Sequence, residues 1–284
     1  MKKVLLIVSL TLALFSTGFS QADKDQQKPV KLTAEDVIAK HLASIGTPED
    51  IAAAKTRVMV GKGTLSGKVT VTGSLGGPTQ IASEGNRFLL AMILNSNSYP
   101  YEKVAFDGKS ITVGVPDGGR TDLGNFLKQK SSILKQGLFG GTLSAGWPLL
   151  DVAGNKVKVS YGGLTEMGGR KFHKLKYTSG VGDLNVALYF DAENFHHVIS
   201  EYKYSIQPAM KDTITEGARA KTEYYTLTEQ FSDYKTVGKL TLPFFYAINT
   251  TEQTENNTVS FDWKINLTDF YFNEPLDIGV FKVS

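Results

Sequence analysis

Two periodicities alternate along this chain. Val37, Ile38, Leu42 and Ile45 share one face at helical spacing, and Thr33-Ala34-Glu35-Asp36 ahead of them reads as an N-cap with an acid at N3. Gly46 ends that helix. Thr47-Pro48-Glu49-Asp50 opens a second, short one with Pro at N1, where its missing N–H costs nothing. From Arg57 the texture becomes that of strands. Val58, Val60, Leu65, Val69 and Val71 are spaced among Gly, Thr and Ser, Gly76-Gly77-Pro78 reads as a turn, and Ile81 and the run Phe88–Leu94 follow. Residues 101–115 read as a hairpin. Asp107-Gly108 suits a type I′ turn, which sets Val104 across from Ile111.

Helical spacing returns over 122–136, with Leu123, Phe126, Leu127, Ile133 and Leu134 on one side. The stretch 137–151, GLFGGTLSAGWPLLD, mixes glycine with large apolar residues and is expected to be flexible. Strands then resume: Val157, Val159 and Tyr161; 172–178 after a Gly168-Gly169 turn; Leu184 to Phe190; and Val198 to Ile206. Residues 207–222 read as a long loop, followed by strands over 224–235, 240–248 and 258–272. In the last, Phe261, Trp263, Ile265 and Leu267 face one way before the phase slips to Phe270 and Phe272, the mark of a β-bulge. A lead-out to Phe281 closes the chain. Alternating strands rather than solid apolar runs predict antiparallel pairing with one face covered. The fold class is mainly β (α+β).

Composition narrows the setting. Lys2-Lys3, the apolar stretch Val4–Phe15 and Ser20-Gln21-Ala22 read as a signal peptide cleaved after Ala22. The apolar stretch is shorter than the roughly 20 residues of a spanning helix. An exported chain, periplasmic or secreted, is expected, with a flexible lead-in over 23–32 and one domain over 33–284. There is no cysteine, and a domain of this length can bury enough surface without disulfides. The net charge of +3 falls to +1 once Lys2 and Lys3 are removed, which argues against a nucleic-acid partner. Between Arg120 and Lys176, ten Lys/Arg face three acids. This is either a solvated surface or a basic face for an envelope protein partner, with Lys156, Lys158 and Lys174 as its test positions.

No motif carries catalysis. His196 and His197 are adjacent in a predicted strand and point to opposite faces, so they cannot share a metal. Ser144, in Thr142-Leu143-Ser144-Ala145-Gly146, lacks the first glycine of a nucleophile elbow. Gly137, Gly140, Gly141 and Gly146 lack the Lys-Ser/Thr of a phosphate loop, so their role is read as flexibility. Neither metal nor cofactor is expected. The feature with no obvious role is apolar excess. Phe126, Leu127, Ile133, Leu134, Leu138, Phe139 and Trp147, together with Phe88, Leu90 and Trp263 of the strands, either complete a core or line an apolar cavity under a lid running from Phe126 to Trp147.

Four stretches carry a family resemblance: Asn86-Arg87-Phe88-Leu89-Leu90-Ala91-Met92, Phe106-Asp107-Gly108-Lys109-Ser110-Ile111, Asp233 to Pro243, and Phe272-Asn273-Glu274-Pro275-Leu276-Asp277 up to Phe281. Together they resemble the periplasmic lipoprotein-carrier (LolA/LolB-like) superfamily, in particular outer-membrane lipoprotein-sorting relatives. The resemblance implies a half-open antiparallel β-barrel, here of about ten or eleven strands, with the N-terminal helices and the inserted helix as a lid. It implies a non-catalytic, monomeric binding protein for acyl chains of lipids or lipoproteins, with no cofactor. It also implies an internal arginine, for which Arg57 and Arg87 both qualify. The alternatives are an interaction or sensor domain of the same fold with a filled core and, third, an enzyme of unrecognised type.

Overall fold

The computed structural model describes residues 32–67, 74–115, 119–178, 184–207 and 222–283. The leader and its cleavage site, Val69, Val71 and most of the loop at 207–222 lie outside the described residues. Helices α1 (Ala34–Ile45) and α2 (Pro48–Ala53) come first. Thr33 and Asp36 form a reciprocal capping box on α1, and Thr47 caps α2 with Pro48 at its start.

Strands β1 (Thr56–Gly67), β2 (Ser74–Glu84), β3 (Arg87–Ile93), β4 (Tyr101–Phe106) and β5 (Ile111–Val113) form one antiparallel meander. Helices α3 (Asp122–Gln129) and α4 (Ser132–Lys135) and two 3₁₀ turns, Gly141–Leu143 and Pro148–Asp151, follow. A second meander runs through β6 (Lys158–Met167), β7 (Arg170–Thr178), β8 (Asn185–Asp191), β9 (His197–Ile206), β10 (Glu223–Val237), β11 (Leu240–Gln253) and β12 (Thr258–Phe272). The meanders join where β1 pairs with β12, giving one twelve-stranded antiparallel sheet with β5 and β6 as unpaired edges. It is an open half-barrel with helices. The terminal strand is last in the chain but central in the sheet.

This order has a geometric consequence. Residues 114–157 connect one edge of the sheet to the other, so the inserted segment must cross the sheet's inner face. That is why its apolar side chains are core. The main cluster joins Leu123, Phe126, Leu127, Ile133, Leu134, Leu138, Phe139, Leu143, Trp147 and Leu149 to Met59, Leu65, Phe88, Leu90, Leu188, Tyr202, Phe231, Tyr246 and Trp263 from the strands. Alternate residues of the same strands face outward. There Val58, Ala82, Leu89 and Ala105 are sealed by the lead-out, with Phe281 fully buried among them.

Several expectations are corrected. Among the described residues the strands number twelve, against about ten or eleven expected, because the first meander holds five, including the three-residue β5. Gly76-Gly77-Pro78 lies within β2, opposite Thr64, Gly63 and Lys62. The ladder to β3 begins only at Thr79, so Pro78 forfeits no bond on that side. The hairpin pairs Phe106 with Ile111 and Val104 with Val113, two residues from the expected register but on the same face. Asp107 Oδ1 accepts from the N–H groups of both Lys109 and Ser110, and this Asx-type turn takes four residues where a type I′ turn takes two. The single helix over 122–136 is two, interrupted at Lys130 and Ser131. The bulge stands where the phase slip put it. Val60 pairs with Asp269 and Gly61 with Leu267, leaving Thr268 over.

Phe281→Ala is expected to lower stability by about 3–5 kcal/mol, the cost of a large cavity. Chemical denaturation measures it. A loss below about 1 kcal/mol would mean that the lead-out contributes no core.

Candidate functional site

The crossing segment brings its own backbone inside the sheet, where every N–H and C=O needs a partner. Four side chains from distant elements supply them, and a fifth, His41, holds the segment's Trp147 side chain. Arg57 of β1 donates from Nη1 to Thr142 O at 2.8 Å and to Ser144 O at 3.4 Å. Ser83 of β2 accepts from Ala145 N at 2.9 Å. Glu229 of β10 accepts from Gly140 N at 2.7 Å, and Tyr202 of β9 lies 3.1 Å from Leu138 O. Trp147 donates through Nε1 to His41 Nε2 at 3.3 Å.

The glycines of this segment serve contact rather than flexibility. Gly140 and Gly141 have φ of +83° and +47°. A Cβ at Gly140 would stand 2.5 Å from the Phe88 ring, and one at Gly141 2.8 Å from the ring of His197. Either distance is a clash, so only glycine fits here.

The titratable groups are held in states that suit these bonds. His41 Nδ1 faces Phe195 O at 3.1 Å, and a carbonyl can only accept, so Nδ1 carries the proton and Nε2 accepts from Trp147. A second proton would set N–H against N–H, and burial lowers the His41 pKa to about 3. His197 stacks on Trp147 with ring centroids 4.8 Å apart, touches Ser200 Oγ and Thr142 Oγ1, and is held by burial well below its ordinary value. Glu229 runs the other way. Burial pushes it up to about 7, against the pull of hydrogen bonds from Tyr246, Gly140 and Tyr202. Tyr202 has one proton and two acceptors, Glu229 Oε2 at 2.7 Å and Leu138 O. A protonated Glu229 donates to Tyr202, which then donates to Leu138, and every group is paired. A second buried carboxyl, Glu102, is raised to about 7 by burial while Thr121 and Tyr99 donate to it.

Beside this packed interior lies an open groove of about 1220 Å³. Its walls are Leu42, Ile51 and Ala54 of the α1–α2 region, Leu150 and Ala145 of the crossing segment, and the β2–β3 turn at Gly85 and Asn86. Arg57 lines it, and Lys55, Arg87 and Lys239 contribute cations. Lys239 is tied to Asp50 at 3.1 Å and Arg87 to Glu84 at 3.2 Å.

The structure brings all ten residues named from the sequence together. Phe88, Leu90, Phe126, Leu127, Ile133, Leu134, Leu138, Phe139, Trp147 and Trp263 share one cluster, and none is more than 5% exposed. None of them lines the groove. Arg57 and Arg87 both do, but only Arg57 is buried. Sequence reasoning missed the groove and the polar anchors His41, Ser83, Tyr202 and Glu229. Among the described residues, no three His, Asp or Glu side chains converge as metal ligands, and no helix is long and apolar enough to cross a membrane. Lys156 and Lys158 are exposed at the start of edge strand β6, and Lys174 Nζ lies 5.2 Å from the Tyr189 ring centroid.

No family model matches the chain, and no curated protein matches it. Solved structures similar to it include a LolA superfamily protein from Nitrosomonas europaea, at 13% identity and TM-score 0.46, covering 89% of this chain and 99% of that one. A domain described as an outer membrane lipoprotein-sorting protein, from Vibrio parahaemolyticus, has 13% identity and TM-score 0.39, over 84% and 95% of the two chains. The lipoprotein LppX of Mycobacterium tuberculosis has 12% identity and TM-score 0.25, over 86% and 99%.

The opposed pKa shifts predict opposed pH effects. A group with a raised folded pKa contributes stability below its unfolded value and loses it as pH rises through the folded one. For Glu229 that window runs from about 4.5 to about 7. Glu229→Gln, which stays neutral, is therefore expected to gain on the wild type in melting temperature between pH 5 and pH 8. The depressed histidines act in reverse: wild-type stability supplied by His41 is lost as pH falls from about 6.5 toward 3. A melting difference between Glu229→Gln and wild type that does not change from pH 5 to pH 8 would contradict the assignment.

Proposed function

We propose that this chain is an exported, non-catalytic binding protein for acyl chains of lipids or lipoproteins, acting as a carrier in the cell envelope. One observation carries the reading: an apolar-walled groove of about 1220 Å³ opens between the α1–α2 pair and the crossing segment. Ligand sites commonly occupy about 300–1,000 Å³, so the groove has room for a long chain. Leu42 and Ile51 are only half-buried, and covering them would remove apolar surface from water. Each methylene of an acyl chain seated there gains about 0.8 kcal/mol. The ten core residues named above fill the sheet's inner face, outside the groove's lining.

A second reading, an interaction domain with no lipid ligand, draws support from the filled inner face. The two part on one titration. The wild-type protein is expected to bind a fluorescent, uncharged C16 palmitoyl amide saturably. Ile51→Asp is expected to weaken that binding by about tenfold or more, since burying an isoleucine side chain is worth about 1.5–3 kcal/mol. Absence of saturable binding by folded wild-type protein would leave the interaction-domain reading.

A further inference from the structure

Arg57 holds a buried charge that no ion pair among the described residues balances. The side chain is 1% exposed, and burial lowers its pKa only to about 10, so it is a cation at neutral pH. Both of its hydrogen bonds leave from Nη1 and end on neutral backbone carbonyls, Thr142 O and Ser144 O. Its Nε is buried with no hydrogen-bond partner. Among the described residues no carboxylate forms an ion pair with it. An isolated buried charge is expensive, and proteins pair such groups or bind counter-ions to them.

The other cations of the groove differ from it. Lys239 and Arg87 have Asp50 and Glu84 as counter-charges, and Lys55 is exposed to water. Arg57 alone among them combines burial, an unused donor at Nε and a place in the groove's lining. Leu42, Ile51, Ala54 and Leu150 line the same groove as Arg57.

We infer that the groove takes a single-chain lipid with a carboxylate head, a long-chain fatty acid, whose carboxylate pairs with the Nε edge of Arg57 and whose chain runs along Leu42, Ile51 and Leu150. The inference rests on the acyl-chain reading above and adds the head group to it. A carboxylate matches the site in charge and shape. It brings one negative charge to one unbalanced cation, and it accepts hydrogen bonds in the plane of a guanidinium edge. A phosphate dianion would bring an excess charge into a site with one unpaired partner.

The test compares palmitate with hexadecanol, which has the same chain and no charge, by isothermal titration at pH 7.5. Wild-type protein is expected to bind palmitate at least tenfold more tightly. Arg57→Gln should bring palmitate down to the level of hexadecanol, and Arg57→Lys should restore part of the difference. Circular dichroism checks that each variant is folded. If Arg57→Gln does not fold, the wild-type preference and its partial retention in Arg57→Lys decide. Equal wild-type affinity for both ligands, or a preference that survives in folded Arg57→Gln, overturns the head-group assignment and leaves the acyl groove standing. Failure of both ligands to bind overturns the acyl reading as well.

Discussion

The structure turns on how a stretch of irregular backbone is kept inside a sheet. Two meanders joined through β1 and β12 leave β5 and β6 at opposite edges, so the segment between them has to traverse the inner face. Apolar side chains alone cannot hold it there, because its carbonyls and amides would lose water with nothing in exchange. Arg57, Ser83, Glu229 and Tyr202 meet that demand from strands far apart in sequence, and His41 of α1 pairs the indole N–H of Trp147. The anchors are neutral or singly charged groups in low-dielectric surroundings, so their protonation states are part of the packing.

Filling the inner face moves any binding outward. With Trp147, Phe139 and Phe126 committed to the core, the groove offers apolar surface beside this segment, where α1 and α2 stand by Leu150 and the β2–β3 turn. Arg57 takes part in both regions. It fastens the crossing segment through Nη1 and lines the groove. A ligand that engages it would touch the same side chain that fixes Thr142 and Ser144.

Much of the fold was legible because local patterns carry it. The Thr33 capping box, the Gly168-Gly169 turn between β6 and β7, and the Thr268 bulge each left a signature within a few residues. The hairpin missed by two residues because the side chain of Asp107 captured the turn, a competition that the Asp-Gly pair does not reveal. The ten apolar residues were found as a set, yet their pattern alone did not separate core from cavity. That difference lies in the crossing topology. His41 lies 106 residues from Trp147 and Arg57 85 from Thr142, distances over which one sequence carries no pairing signal. Arg57 entered only through a family resemblance, alongside Arg87. Burial and the missing partner at Nε are what separate the two.

The central claim is that ligand sits in the groove and the sheet's inner face stays packed. Photocrosslinking with a diazirine-bearing palmitate, followed by peptide mapping, tests it most directly. The account predicts adducts on the stretch from Leu42 to Ala54 and on the stretch from Ala145 to Leu150. Adducts confined to Phe88, Phe139 and Trp263 would contradict it, because they would place the acyl chain inside the sheet where these side chains are packed here.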